Sequence, residues 1–370
     1  MGLFTAHFAS KLGRSVTVLE RSWIGDPATA SFGLTRSIRN DYLDPHYARL
    51  AYEARGLWLD AQREGGVPLL VDCGCLNLAK ESITPDLEGT YAEQAHRVLN
   101  GLRLRTEAYE REPLRRRFPQ FDADLGRLDV EAGFIDLPAV TSFLKKSLVQ
   151  SSVSLREHAE VVAIEESDRG VMLEVDGGGR LNAGVAVVTV GGLNVNNVLS
   201  RFDGCRVRFP ISPDRPLQAK YFLPPRGHED DFTPDRLPVF AYLDVGVYGH
   251  PWYPGKTKGV KIGFYRPPDV KSVSARIQDV DSFVDECMPE LSDAERMDVT
   301  DVDQCWYDLV GDDNFIMGLV PESRRVVVGT GWRGTGYKYA PWVGRTLAEL
   351  AVQGGTTSDI SRFTPQRFVD

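Results

Sequence analysis

Long apolar runs are missing from this 370-residue chain. None approaches the ~18 residues that a membrane-spanning helix needs, and the N-terminus lacks the apolar core of a secretory leader. Cysteine is scarce. The five present (Cys73, Cys75, Cys205, Cys287 and Cys305) are odd in number and scattered through a long chain, which argues against a disulfide framework. Cys73-Gly74-Cys75 puts two thiols on one face of a strand, without the second pair that zinc requires. The six histidines show no metal spacing. Positive charge is also short: 43 basic against 52 acidic residues leave a net charge of −9, which argues against nucleic acid as the main partner. No P-loop, GxSxG or HExxH motif occurs. What remains is an ordinary globular composition, 42% hydrophobic and 26% charged, with enough length for about two domains. A cytoplasmic protein is the default expectation, with no membrane and no metal. Met1–Ser15, carrying Lys11 and Arg14, read as a transit-like amphipathic helix is the lesser alternative, because a strand follows it directly.

Leu3, Phe4, Phe8 and Leu12 recur at helical spacing, and Gly13 ends that helix. Val16–Leu19 then reads as a buried strand with Glu20 at its end. Helix, glycine, apolar strand and terminal acid match the second half of a βαβ nucleotide-binding unit. Residues 45–64 read as a helix, "VPLLVDCGCLNLA" as an alternating strand pair, and 84–118 as charged and helical. "GFIDLPAVTSFLKKSL" is a turn followed by a helix. "AEVVAIEE…GVMLEVDGG" is a β-hairpin, and "AGVAVVTVGGLN" is a buried strand running into Gly191-Gly192. Residues 206–300 carry more proline, tyrosine and short strands. From 300 the pattern returns to strand, turn and helix. Nucleotide-domain features thus lie at both ends and in the middle, which predicts two interleaved domains. One is a discontinuous nucleotide-binding, Rossmann-like α/β domain over 1–65, 132–205 and 305–370. The other is an α+β substrate domain over 66–131 and 206–304, built on an antiparallel sheet.

Four segments belong together: the N-terminal βαβ remnant, "SFGLTRSIRND" (31–41), "DQCWYDLVGDDNFIMG" (303–318) and "GTGWRGTGYKYAP" (329–341). In these motifs and their order the chain resembles, nearly end to end, the monomeric sarcosine oxidase and N-methyl amino acid oxidase family of FAD-dependent amine oxidases, within the D-amino acid oxidase-like superfamily. The resemblance implies a glutathione reductase-type FAD domain. It places Cys305 where the family attaches the flavin 8α-methyl group through a thioether, chemistry that needs a positioned thiolate. The alternative is a buried cysteine serving as a small apolar residue. Trp306 and Tyr307 then fall near the flavin edge, with Tyr307 at the substrate pocket.

Lys338 and Arg39 match the family's substrate-carboxylate cations, a point charge beside a guanidinium that can bind in two-pronged fashion. The alternative for both is a solvated surface cation. Arg36 belongs closer to the flavin or its phosphates. Lys261, in "KGVKIGFYRPP", stands where the family has a lysine that stabilises negative charge during oxygen reduction; its alternative is an outward strand lysine. Sarcosine-type members have histidine where this chain has Tyr265, and Tyr248 is a second wall residue, so sarcosine itself is a doubtful substrate. The cofactor contacts implied are Gly2 at the phosphate loop, Glu20 at the ribose, Val161 at the adenine, Gly191 and Gly192 at the dinucleotide crevice, and Gly334 and Gly336 where backbone approaches the ring. Leu193 replaces a family tryptophan, and Trp332 and Arg333 face the substrate pocket. The helix from about Pro341 aims its positive end at the flavin pyrimidine.

The strand and first two glycines of GxGxxG, roughly a dozen residues judged by that fingerprint, are not in the sequence. Either the natural start lies upstream, which is the preferred expectation, or the chain holds FAD poorly. The implied reaction is oxidation of the C–N bond of a small secondary or cyclic amino acid by O2, giving an imine and H2O2. The alternatives are a flavin dehydrogenase serving an electron carrier and an FAD-free binding protein.

Overall fold

The computed structural model describes residues 1–216, 218–264, 276–298 and 306–369. The chain divides into two compact units: Met1–Phe32, Ala139–Pro216 and Cys305–Asp370 form one, and Gly33–Pro138 and Leu217–Gln304 form the other. Each is built from interleaved segments. Relative to the domain limits expected from sequence, 33–65 and 132–138 fall in the second unit and 206–216 in the first. Strand pairing is the reason. Thr35–Ile38 pairs with Gly133–Asp136, which also pairs with Leu70–Val71, whereas Ile211–Pro216 pairs with Trp306–Val310.

In the first unit the helix Gly2–Lys11 buries Phe4, Thr5, Ala6, His7 and Ala9. It lies close against the helix Ala340–Gln353, where a Cβ on Gly344 would fall 2.4 Å from that of Phe4. Only glycine lets the two backbones come so near. The longer helix carries Pro341 in its first turn and ends at Gly354, in left-handed conformation. Two parallel pairings follow: Thr17–Leu19 with Ser154–Arg156, and Ala186–Val188 with Val326–Thr330. The last strand is buried throughout and also pairs antiparallel with Ile316–Leu319. A Val-rich strand with no polar face is what a sheet covered on both sides demands. The expected hairpin is present as Val161–Ser167 against Gly170–Val175, with a third strand, Gly179–Ala183, beside it.

The second unit carries an eight-stranded sheet among the described residues. Its core gathers Leu76, Leu78, Phe121, Phe240, Tyr242, Ile262 and Phe283. The sheet expected to be antiparallel is mixed: Cys75–Ala79 runs parallel to Val239–Tyr242. The two chain segments of the unit meet there, so no short turn forces antiparallel pairing. Other expectations are corrected here too. The "VPLLVDCGCLNLA" stretch is not a strand pair, since Leu70–Val71 and Cys75–Ala79 join different sheets. Cys73 lies outside the strand that holds Cys75. Within 84–118, the strand Thr106–Glu110 separates the helices Tyr91–Gly101 and Arg111–Arg117. "GFID" is itself a strand. No described helix is long and apolar enough to cross a membrane, and no described group of His, Cys, Asp and Glu is arranged to hold a metal ion.

Candidate functional site

In the first unit, chain turns converge at the carboxyl ends of the parallel strands. Ala186–Val188 runs into Thr189, and a Cβ on Gly2 would lie 2.7 Å from Thr189 Oγ1, so the first turn of the helix Gly2–Lys11 meets this strand end. Gly191 has φ +79° and open space where a side chain would stand, and it leads into the helix Gly192–Leu199, which has no side-chain cap. The Gly192 amide of that first turn is taken by the Asp308 carboxylate. A Cβ on Gly192 would strike the Asp308 side chain at 2.4 Å. Asp308 Oδ2 accepts from the Trp332 amide at 3.0 Å, and burial pushes its carboxyl above the usual range. One acid thereby ties the Gly192 turn to the Trp332 turn.

Gly334 has φ +69°, and a Cβ there would land 1.9 Å from the Tyr307 ring; one on Gly336 would land 2.4 Å from Trp332. Lys338, expected at the substrate side, is buried, donates to the Thr335 carbonyl at 3.2 Å and lies over the Tyr339 ring, so it is no solvated surface cation. The Glu20 carboxylate accepts from the Ser22 amide at 3.0 Å, at the end of Thr17–Leu19. Val161 opens its strand and its carbonyl accepts from Arg201. Thr330, fully buried at the end of its strand, has an Oγ1 with no partner among the described residues. Two parallel strand ends, glycines that hold backbone open and an unsatisfied buried hydroxyl fit a dinucleotide cofactor. Cys305 and Tyr265 lie outside the described residues.

The second unit holds the other expected residues. Arg36 donates to its neighbour's carbonyl, that of Thr35, at 3.0 Å. Lys261 is 1% exposed on Val260–Phe264, and thus no outward lysine. Tyr248 packs edge-on to His250 and close over Gly263. Arg39 sits in a buried network that sequence reasoning missed. Its Nη1 donates to Asp41 Oδ1 at 2.5 Å and to the Asp41 carbonyl at 3.2 Å. The Tyr91 hydroxyl donates to the same carbonyl at 3.0 Å, and Asn77 donates to Asp41 Oδ2. Asn40 links this network to a second buried acid, donating from its amide to Asp129 Oδ2 at 2.6 Å. His250, also missed, has Thr35 Oγ1 and Ser37 Oγ each at 2.8 Å from its two ring nitrogens. The only sequence signal for Asp41 was its place two residues after Arg39 in "SIRND".

Asp129 titrates near neutrality. Burial first, then the neighbouring Asp41 carboxylate, pushes its carboxyl up to about 7, against the donors from Asn40. A folded-state value above the unfolded one means that the folded chain binds the extra proton between pH ~4 and ~7. The resulting stability is complete below the unfolded value and lost as pH rises through the folded one. Urea unfolding should therefore show stability falling from pH 5 to pH 8, by up to about 1.4 kcal/mol per pH unit from this group. Asp129→Asn should flatten that slope whatever it does to absolute stability. An unchanged slope would mean that Asp129 is ionised throughout.

The chain is 25% identical over 389 residues to the peroxisomal sarcosine oxidase of Homo sapiens, with 99% of this chain and 93% of that protein covered. It is 24% identical over 383 residues to the N-methyl-L-tryptophan oxidase of Yersinia pestis (strain Pestoides F), with 100% and 96% covered. Among solved structures, L-proline dehydrogenase from P. horikoshii superposes with a TM-score of 0.79 at 20% identity, over 99% of this chain and 94% of that one. That likeness confirms the Rossmann-like α/β fold. Residues 1–350 match the family model described as FAD dependent oxidoreductase, and with the dinucleotide features above the chain belongs to that family, DAO, and is an FAD-dependent oxidoreductase.

Proposed function

We propose that this enzyme oxidises the C–N bond of a small amino acid, or cyclic imino acid, whose nitrogen is secondary, with O2 as acceptor and an imine and H2O2 as products. The observation that carries the reading is that two relatives matched over nearly the whole chain are named for N-methylated amino acids. FAD, when bound, takes a hydride equivalent from the carbon beside nitrogen. The chain's own residues bind and orient. Arg39 and Lys338 take the carboxylate, supported by the depth at which both are held. A guanidinium supplies parallel N–H donors and the ammonium a compact charge. Tyr307, Tyr248 and Tyr265 wall the substrate, and Lys261 offers positive charge to oxygen. Gly2, Glu20, Arg36, Val161, Gly191, Gly192, Gly334 and Gly336 hold the cofactor, and Cys305 bonds it. The protein works as a cytoplasmic monomer.

The test uses the purified yellow protein. Sarcosine, N-methyl-L-tryptophan, L-proline and L-pipecolate, added without air, should include one that bleaches the visible absorbance, whereas glycine, a primary amine, should act poorly. Admitting air should restore the colour and release peroxide. Bleaching by glycine alone would overturn the secondary-amine reading. Slow recovery in air with fast recovery on an artificial acceptor would replace O2 by a carrier. Acid precipitation should leave flavin on the parent and free it from Cys305→Ala; flavin freed from both would end the thioether assignment alone.

A further inference from the structure

Asp41 is buried more deeply than the arginine it serves, with 1% of its side chain exposed against 12% for Arg39. Every oxygen it carries is used. Oδ1 takes Arg39 Nη1, Oδ2 takes Asn77 with the Cys75 thiol 3.8 Å away, and the carbonyl takes Tyr91 and Arg39. The donors come from the strand Cys75–Ala79 and the helix Tyr91–Gly101, while the Tyr42 ring lies under the guanidinium, 5.0 Å from Arg39 Cζ. The Leu125–Asp129 strand closes the cluster through Asn40. The arginine is tied at Nη1 to Asp41 and stacked on the Tyr42 ring, and its charge is matched by a carboxylate in a place where water screens little.

We propose that Asp41 is a positioning and specificity-determining residue, fixing the Arg39 guanidinium and cancelling most of its net charge. The inference rests on the reading that Arg39 binds the substrate carboxylate. Arg39 then recognises an acid by aimed N–H donors more than by charge. A flat carboxylate in the correct pose is favoured, and anions in general are not gathered. Burial opposes charge on Arg39, but Asp41 raises its proton affinity well above the ordinary range, so the guanidinium stays charged. The Cys75 thiol is pushed far up by burial and then by Asp41, and the Tyr91 phenol up by burial; neither adds charge.

Calorimetric titration of the full-length holoenzyme with acetate tests this, beside steady-state kinetics. Asp41→Asn removes the charge and keeps the shape. It should bind acetate roughly fivefold more tightly and lower KM, while kcat falls about tenfold as the guanidinium loses its aim. Asp41→Glu, which restores the charge, should return acetate affinity toward the parent value. Asn77→Ser, which weakens one anchor and leaves the charge, should lower kcat without tightening acetate. Unchanged or weaker acetate binding in Asp41→Asn, with Arg39→Gln abolishing it, would overturn the charge-cancelling role. Acetate binding untouched in Arg39→Gln would instead overturn the carboxylate reading itself. If Asp41→Asn does not fold, Asp41→Ser makes the same change with a smaller side chain, and failure of both to fold would assign Asp41 to structure alone.

Discussion

Lys261→Met is expected to slow the return of the substrate-bleached protein to its oxidised state in air by roughly 10²–10³-fold, while bleaching by substrate without air changes little. The prediction follows from where the strand holds the amine. In the register of Val260–Phe264, Lys261 stands opposite Tyr221 on one side and His250 on the other. Directly opposed residues of antiparallel strands share a face, so a cation, a phenol and an imidazole leave the sheet together. The imidazole is held at both nitrogens by the Thr35 and Ser37 hydroxyls, and hydroxyls serve as donor or acceptor to either tautomer. An ammonium kept 1% exposed in such company acts in low dielectric, where one positive charge stabilises developing negative charge far better than in water. Methionine keeps the length and removes the charge. Stopped-flow mixing with aerated buffer after anaerobic bleaching gives the number. Recovery at the parent rate would remove Lys261 from the oxygen side.

The local elements were legible because their signals are local. Gly13, Gly191 and Gly354 mark ends where backbone conformation or a helix terminus asks for glycine, and the Val-rich runs at 186–188 and 326–330 read directly as strands. Lys261, Lys338 and Arg39 were reached through resemblance; the structure buries the two lysines and leaves the Arg39 side chain 12% exposed. What stayed hidden depends on pairing between distant segments. The strand Thr106–Glu110 lay inside a charged stretch that looked helical; it sits at the sheet edge, where charged side chains reach water. Asn77 and Asp129 occupy strands whose residues are all buried, and a polar residue in such a strand gives no sign of which distant partner satisfies it. Asp41 shows the same limit. Its spacing from Arg39 is visible, but the inward turn that makes it a partner is set by Asn77 and Tyr91, from elements far along the chain.

Gly334 and Tyr307 provide the sharpest test of the first unit, because one substitution there meets two obstacles. At φ +69° an alanine adopts the left-handed region at about 1 kcal/mol or more, and its Cβ would arrive 1.9 Å from Tyr307 Cδ1. The ring is buried and cannot retreat freely, so overpacking adds about 1–3 kcal/mol. Gly334→Ala should thus lose about 2–4 kcal/mol and melt several degrees lower, with flavin retention falling in parallel if the turn shapes the cofactor's seat. Gly311→Ala, at a glycine with open space around it and no left-handed backbone, is the control and should stay within about 1 kcal/mol. A double-mutant cycle separates the two terms. In a Tyr307→Ala background the clash is gone and only backbone strain remains, so adding Gly334→Ala should do less than half the damage it does in the parent. Equal damage in both backgrounds would mean that the ring is not against the turn.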